Sequence, residues 1–215
     1  MDFEAWLPYY EKILEDFGFS REDDERAAHL LAERLGGTRV SPGDLEKILR
    51  GNAVTVAGNA ATLGREMTRL QGVLIAADEA TTVLRAHDRR PDLIVTDLDG
   101  TVEDQIAANR EGSIAVVHAH GDNVVALKRW APRFTGATMA TTQSRPFDGV
   151  HDFSGFTDGD RAVLLAAHFG ARSIRLVGFD FDTPNAKDRP AAVKRKKLDW
   201  AYILIQSAAA ELLED

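Results

Sequence analysis

The stretch DLIVTDLDG, residues 92–100, places an apolar run directly before two carboxylates, Asp97 and Asp99. Five further apolar runs occur along the chain, and segments of helical periodicity separate them. The six runs are AVTVA (53–57), GVLIAA (72–77), DLIVT (92–96), IAVVH (114–118), ATMAT (137–141) and IRLVG (174–178). Because each run is apolar along its length rather than alternating, we expect strands that are buried on both faces.

Alternation of strands with amphipathic helices predicts an α/β fold with a doubly wound, mostly parallel sheet of six strands. The helical segments lie at 62–70, 79–87, 103–111, 122–130, 158–169 and 191–213. Residues 1–51 precede the first run and show helical periodicity, with Trp6, Tyr10 and Ile13 on one face. We therefore predict an N-terminal helical segment over residues 1–51 and an α/β domain over residues 52–215.

Composition limits the classes of function. The 215 residues are 44% hydrophobic and carry a net charge of −8, so we expect no binding to nucleic acid phosphates. No cysteine is present, which excludes disulfides and thiolate metal ligands. No segment approaches the roughly 18 consecutive apolar residues of a membrane span. The N-terminus lacks the basic start and apolar stretch of a signal peptide, so we expect a cytoplasmic protein with no membrane contact.

Polar residues follow every one of the six runs. They are Gly58 and Asn59, then Asp78, then Asp97 and Asp99, then His118, His120, Asp122 and Asn123, then Thr141, Thr142 and Gln143, and finally Asp180 and Asp182. The carboxyl ends of parallel strands meet at one edge of a sheet, and ligands bind there. The sequence therefore predicts one site built from all six strand ends.

The chemistry of these residues favours magnesium and phosphate. Carboxylate oxygens without cysteine suit Mg²⁺, which keeps several waters and joins substrate phosphates. Asp97 and Asp99 lie two residues apart at a strand end, a spacing that can direct both at one metal ion. Gly58 ends a strand before a helical segment, so its turn could present backbone N–H groups to phosphate.

The string DLDGTV, residues 97–102, also opens phosphatases of the haloacid dehalogenase type. In that class the first aspartate attacks phosphorus and the second transfers a proton. The motif there usually follows the first strand, whereas two apolar runs precede it here. A metal-binding role for Asp97 and Asp99 is therefore the favoured interpretation, and the phosphatase is the alternative.

Two other features have simpler interpretations. Asp78 could cap the helix that begins near Glu79, because aspartate is a common N-cap residue. The basic run KRKK, residues 194–197, could be the solvated face of the last helix or could reach phosphates from one side.

Taken together, PDLIVTDLDG (91–100), HAHGDN (118–123), TTQ (141–143) and FSGFTDGDRA (153–162) resemble the archaeal 6-hydroxymethyl-7,8-dihydropterin diphosphokinase family. That family is Rossmann-like and is similar to thiamine diphosphokinases. The resemblance implies Mg²⁺-dependent transfer of diphosphate from ATP to a pterin alcohol, with release of AMP. The product would serve tetrahydromethanopterin or folate biosynthesis.

The resemblance also implies roles for individual residues. Asp97 and Asp99 would bind the metal and, with His118 and His120, form the catalytic group. The expected ATP-binding residues are Gly58, Asn59, Thr62, Asp78, Thr142, Gln143 and Lys197. The expected pterin-binding residues are Asp122, Asn123, Asp158 and Asp160.

Two segments depart from the family pattern. The first turn reads GNAATL (58–63) where the family has G-x-G-P-S-L, and Glu79 replaces a glycine. A nucleotide-binding domain without turnover is therefore a second alternative. The sequence leaves the true acceptor and a homo-oligomeric state open.

Overall fold

A parallel sheet forms the centre of the computed structural model, which describes residues 1–183 and 190–214. Within these residues the strands are β1 (Thr38–Arg39), β2 (Ala53–Ala57), β3 (Val73–Ala77), β4 (Leu93–Thr96), β5 (Ile114–Ala119), β6 (Ala137–Thr142), β7 (Val150–His151), β8 (Ser173–Val177) and β9 (Leu213–Glu214). The helices are α1 (Phe3–Phe17), α2 (Arg21–Arg34), α3 (Pro42–Leu49), α4 (Ala80–Ala86), α5 (Val102–Arg110), α6 (Val124–Trp130), α7 (Asp158–His168) and α8 (Ala191–Ala209).

The strand order is β1-β6-β5-β4-β3-β2-β8-β9, and β7 also pairs with β6. All of these pairings are parallel. From β2 the chain proceeds to one side through β6, and it then returns to place β8 on the other side of β2. The topological switch point therefore lies between β2 and β8, the position where open α/β sheets bind ligands.

Both faces of the sheet are buried, as the apolar runs predict. In β5, Ile114 and Val116 join a core with α3, α7 and α8, whereas Ala115 and Val117 join a core with α2, α5 and α6. This alternation follows the two-residue period of a strand that is covered on both sides. The α/β class and the doubly wound parallel arrangement are confirmed.

The strand count and two helix predictions were wrong. Three strands of two residues each, β1, β7 and β9, extend the six that the sequence predicts. The expected helix at 62–70 consists of two short 3-10 turns, because Glu66 at φ −101° and ψ 9° interrupts it. The last helix ends at Ala209, and a 3-10 turn then leads into β9.

Residues 1–51 form three helices, as the helical segment predicts, and side chains of α2 and α3 enter the cores of the sheet. Leu31 of α2 packs in the same cluster as Val117, and Leu45 of α3 packs with Val54. β1 adds a strand beside β6. The boundary at residue 51 between two domains stays a prediction. None of the described helices combines the length and apolar character that crossing a bilayer requires.

Replacing Leu31 tests whether α2 shares the stability of the sheet. Leu31 is fully buried, so we expect Leu31→Ala to lower the free energy of unfolding by about 2–4 kcal/mol. Glu33→Ala, on the exposed side of the same helix, should change the free energy of unfolding by less than about 0.5 kcal/mol. Urea denaturation followed by circular dichroism measures both. A separate early transition in the Leu31→Ala variant would indicate that residues 1–51 unfold independently.

Candidate active site

Four carboxylates meet at the carboxyl edge of the sheet. Asp78 follows β3, Asp97 and Asp99 follow β4, and Asp158 begins α7. One oxygen from each lies within 4.8 Å of one oxygen from every other. The predicted convergence of strand ends is therefore confirmed for Asp78, Asp97 and Asp99. Asp158 joins them from α7, which packs on the face of the sheet opposite α5.

Asp78 is held by hydrogen bonds from beneath the cluster. Its Oδ1 accepts from Thr96 Oγ1 at 2.6 Å and from Gln105 Nε2 at 2.8 Å, and its backbone adopts a left-handed φ of 43°. No side-chain capping bond begins α4. The helix-cap interpretation of Asp78 is therefore wrong, because its side chain bonds to Thr96 at the end of β4 and to Gln105 of α5. A Cβ on Gly100 would collide with Asp78 Oδ2, so a larger residue there would displace the Asp78 carboxylate.

Asp97 is bound on one oxygen only. Its Oδ2 accepts from His120 Nε2 at 3.2 Å, while its buried Oδ1 has no hydrogen-bond partner among residues 1–183 and 190–214. The backbone N–H of Asp122 donates to His120 Nδ1 at 3.3 Å, which leaves the His120 proton on Nε2. Asn123 Nδ2 donates to the carbonyl of Asp97 at 2.8 Å. Asp97 thus keeps one buried acceptor that no group of the described residues binds.

Burial and mutual repulsion control the charges of the cluster. Burial, followed by the charges of Asp97 and Asp99, raises the pKa of Asp78 to about 8. Burial likewise raises the pKa of Asp158, which lies well above its ordinary value, and that of Asp99. Burial acts in the same direction on Asp97, but the His120 bond and the charges of Arg161 and Lys197 hold its pKa at about 2. A cation placed among the four would relieve this repulsion.

Arg161 supplies positive charge from within α7. Its Nη1 donates to Asp158 Oδ1 at 3.2 Å, and its Nη2 donates to Gln143 Oε1 at 3.1 Å. The arginine is 6% exposed, so these bonds form away from solvent, where ion pairs are screened least. Sequence analysis missed Arg161, although it stands three residues after Asp158 in GFTDGDRA and therefore shares a helix face with it.

A cleft of about 480 Å³ opens above the carboxylates. Ten of the fifteen residues to which a role was assigned line it, namely Gly58, Asn59, Asp78, Asp97, Asp99, His120, Gln143, Asp158, Asp160 and Lys197. Asp180, from the sixth strand end, lines it as well. The cleft also includes Lys194 of the KRKK run and four aromatic residues for which no role was predicted, Phe19, Phe156, Phe179 and Phe181. Aromatic spacing alone does not separate core rings from rings at a cleft, so the sequence offered no clear signal for them.

Five expected site residues lie outside the lining of this cleft. Thr62 and Asp122 are exposed at the surface. Thr142 is buried and bonds with Ser144, while Asn123 spans the carbonyls of Asp97 and His118. His118 lies behind His120, and Thr141 Oγ1 is 3.1 Å from its Nδ1. Burial lowers the pKa of His118 well below its ordinary value, so this imidazole is neutral near pH 7.

Asp160 lines the cleft but uses both oxygens within the chain. It accepts from the backbone N–H groups of Phe156 at 2.6 Å and Thr157 at 2.7 Å, and also from the Thr157 hydroxyl. These bonds form the capping box that begins α7. The role of Asp160 in holding the loop is therefore visible in the structure.

The switch point is closed by two glycines. A Cβ on Gly58 would lie 2.7 Å from the carbonyl oxygen of Gly178 and 2.9 Å from the Phe179 ring. Beside this turn, Asn59 Nδ2 donates to Glu79 Oε2 at 3.0 Å. The two segments that depart from the family pattern therefore contact each other.

The basic run at the start of α8 divides between two faces. Lys194 and Lys197 line the cleft, and their charges act on the Asp99 carboxylate. Arg195 pairs with Asp199, and Lys196 donates to the carbonyl of Asp16. Half of the run is therefore a solvated helix face, and contact of the other half with phosphate stays a prediction.

A family model described as 6-hydroxymethylpterin diphosphokinase MptE-like matches residues 37–186. This span contains all four carboxylates of the cluster. The chain belongs to this MptE-like family. The resemblance inferred from the sequence motifs is thereby confirmed.

Curated relatives support the same assignment. A protein of Methanothermobacter thermautotrophicus named 6-hydroxymethyl-7,8-dihydropterin pyrophosphokinase is 43% identical over 95% of this chain and 94% of its own length. Relatives of the same name from Pyrococcus furiosus and Methanocaldococcus jannaschii are 39% and 35% identical, covering 96% and 95% of this chain and 94% and 95% of their own lengths.

A solved structure shows the fold independently. The MAf glycosyltransferase from Magnetospirillum magneticum AMB-1 matches with a TM-score of 0.51 and 18% identity. The match covers 80% of this chain and 29% of that protein. At this identity the comparison concerns the fold alone.

Neutralising Asp78 should stabilise the metal-free protein. Folding raises the pKa of Asp78 from 3.8 to about 8, so its protonated form favours the folded state, and that stability is lost as pH rises between these values. We expect Asp78→Asn to raise the free energy of unfolding by on the order of 1–3 kcal/mol at pH 8 and by less at pH 5. Urea denaturation in EDTA at both pH values measures this.

The exposed Asp88→Asn is the matched control, because it removes the same charge away from the cleft. Equal stability of Asp78→Asn and the control at pH 8 would contradict the repulsion described here.

Proposed function

We propose that this protein transfers a diphosphoryl group from ATP to the hydroxymethyl group of 6-hydroxymethyl-7,8-dihydropterin, with Mg²⁺ bound by the carboxylate cluster. The observation that carries the proposal is the cluster itself, Asp78, Asp97, Asp99 and Asp158, in a chain whose curated relatives bear the name of this pyrophosphokinase. The names of the relatives indicate the acceptor molecule, and the carboxylate cluster supports metal-assisted chemistry on phosphate.

The residues present fit magnesium. Their donor atoms are carboxylate oxygens, which Mg²⁺ prefers, and the buried Oδ1 of Asp97 offers an acceptor with no hydrogen-bond partner among the described residues. Asp97 and Asp99 would hold the ion, with Asp78 and Asp158 close enough to bind it or its waters. When bound, Mg²⁺ neutralises negative charge on the phosphate oxygens and orients the triphosphate.

The remaining tasks belong to the chain. Lys194 and Lys197 approach the cleft from α8 and would attract the triphosphate into an otherwise acidic pocket. The turn at Gly58 brings backbone close to the cleft where a side chain would not fit. His120 holds Asp97 in one orientation by the bond to Oδ2. These residues position the reactants, which is the main contribution of proteins to phosphoryl transfer.

Two separate aromatic groups suit two ring-bearing substrates. Phe19 and Phe156 form one group, and the Lys197 ammonium lies 5.6 Å from the centre of the Phe156 ring. Phe179 and Phe181 form the other, with ring centres 5.6 Å apart. All four rings line the cleft. Adenine and pterin are both flat and aromatic, so each could stack on one group.

In the proposed reaction the pterin hydroxyl oxygen attacks the β-phosphorus of ATP in line with the bond to the α-phosphate oxygen. That bond breaks, AMP leaves, and the alcohol proton is released to solvent. His118 has no direct access to the cleft, so its predicted catalytic role would act through its neighbours His120 and Thr141.

The products formed from ATP distinguish the proposed transfer from its alternatives. Enzyme, Mg·ATP and the pterin alcohol should yield AMP and a pterin diphosphate in equal amounts, separated by chromatography. ADP would indicate attack at the γ-phosphorus instead. Binding of Mg·ATP without AMP would support the alternative of a domain without turnover. Phosphate release without acceptor, with Asp97 trapped by beryllofluoride, would support the dehalogenase-type phosphatase.

The metal role predicts a large loss from single amide substitutions. Asp97→Asn and Asp99→Asn should each lower kcat by about 10²-fold or more, because a charge clamp on the transition state is weakened. EDTA should abolish wild-type activity, and Mg²⁺ or Mn²⁺ should restore it. Asp88→Asn is the control for charge and should leave kcat unchanged. Activity of either cluster variant near the wild-type value would reject the metal assignment, as would stoichiometric zinc in active protein.

A further inference from the structure

Asp24 in α2 connects the N-terminal helices to two strand ends. Its side chain is 2% exposed and accepts three hydrogen bonds. Oδ1 accepts from the backbone N–H of Gly121 at 2.7 Å, and Oδ2 accepts from Gln143 Nε2 at 2.8 Å. The Tyr10 hydroxyl of α1 also donates to Oδ2, at 2.7 Å. Asp24 lies outside residues 37–186, the part of the chain that the family model matches.

One branch of this network leads to Asp158. Gln143 uses its amide nitrogen on Asp24 and its amide oxygen on Arg161, which in turn donates to Asp158. The amide orientation is fixed by chemistry, because a carboxylate only accepts and a guanidinium only donates. Trp6 Nε1 donates to the Gln143 carbonyl at 2.8 Å and holds the backbone at the same point.

The second branch leads to Asp97. Gly121 directly follows His120, whose Nε2 contacts Asp97 Oδ2. Gly121 itself packs closely against α2, because a Cβ on Gly121 would lie 2.7 Å from the Cβ of Asp23. Asp24 therefore fixes the turn that carries His120 against the body of α2.

We propose that Asp24 is a positioning residue that orients Asp158 through Gln143 and Arg161, and orients Asp97 through the Gly121 turn and His120. The proposal rests on the proposed function, since it assigns these carboxylates to a metal. Residues that hold metal ligands through hydrogen bonds typically affect metal affinity or activity by about 10- to 100-fold. The N-terminal helices are in this view a part of the active site.

Asp24→Asn is informative because it replaces a group that only accepts hydrogen bonds with one that also donates them. If the new amide keeps its oxygen toward Gly121 N–H, its nitrogen faces Gln143 Nε2, and two donors oppose each other. Rotating the Gln143 amide removes that conflict but directs Nε2 at the Arg161 guanidinium, which also only donates. Asp24→Asn is therefore expected to disturb the bond of Gln143 to Arg161 and, through Arg161, the position of Asp158. Adding Gln143→Glu removes the conflict, because a carboxylate accepts both from the amide introduced in α2 and from Arg161.

The test compares Asp24→Asn, the double variant Asp24→Asn/Gln143→Glu, and Asp23→Asn. Asp23 is the matched control, because its side chain is half exposed and pairs with Arg26 at the surface of the same helix turn. Calorimetric titration with Mn²⁺ alone gives metal affinity, and steady-state assays give kcat and KM. We expect Asp24→Asn to lose about 10-fold or more in Mn²⁺ affinity and kcat. The double variant should recover most of the Mn²⁺ affinity, and Asp23→Asn should match wild type in both measurements.

Wild-type Mn²⁺ affinity in folded Asp24→Asn would overturn the proposal. A double variant that folds but binds Mn²⁺ as weakly as Asp24→Asn would do the same. If Asp24→Asn does not fold, the double variant decides alone, and failure of both to fold would assign Asp24 to stability instead. Mn²⁺ binding needs no turnover, so a wild type that binds metal without forming AMP rejects the proposed function and leaves this comparison intact.

Discussion

Four carboxylates whose oxygens lie within 4.8 Å of one another are the constraint on which the rest of this structure depends. Asp78 is buried, Asp97 and Asp158 are half-buried, and Asp99 is exposed. Removing charges from water and bringing like charges together both cost free energy. Each surrounding contact reduces that cost in part. Thr96 and Gln105 bind Asp78, and His120 binds Asp97. The repulsion that remains destabilises the metal-free protein and would favour a bound cation, so stability and the proposed function oppose each other here.

The parallel sheet determines where that cluster can form. Three of the four carboxylates follow adjacent strands, β3 and β4, so they lie side by side at one edge. The fourth, Asp158, lies at the start of α7, which packs on the face of the sheet opposite α5. Arg161 follows one turn later on the same helix. The cleft is bounded by the switch point at Gly58 and Gly178 and by the basic face of α8. Acidic and basic walls thus come from distant parts of the chain.

The departures from the family pattern are coupled in space. Asn59 belongs to the altered first turn and Glu79 to the altered second one, and the two side chains form a hydrogen bond. Gly58, which the close approach to Gly178 requires, is retained. The two departures therefore connect the turns at Asn59 and Glu79 by a hydrogen bond, and the close contact between the backbones of Gly58 and Gly178 is kept.

The sequence by itself determined the central strands, the doubly wound arrangement and the acidic strand ends, because these depend on local periodicity and on the rule that parallel strands end at one edge. It failed for β1, β7 and β9, since strands of two residues have no period to detect and exist only through their partners. It also gave no indication of Asp24, and for Arg161 it showed only the spacing of three residues from Asp158. Their roles come from hydrogen bonds across 119 and 18 positions of sequence, and only the packing of helices against strand ends creates those contacts.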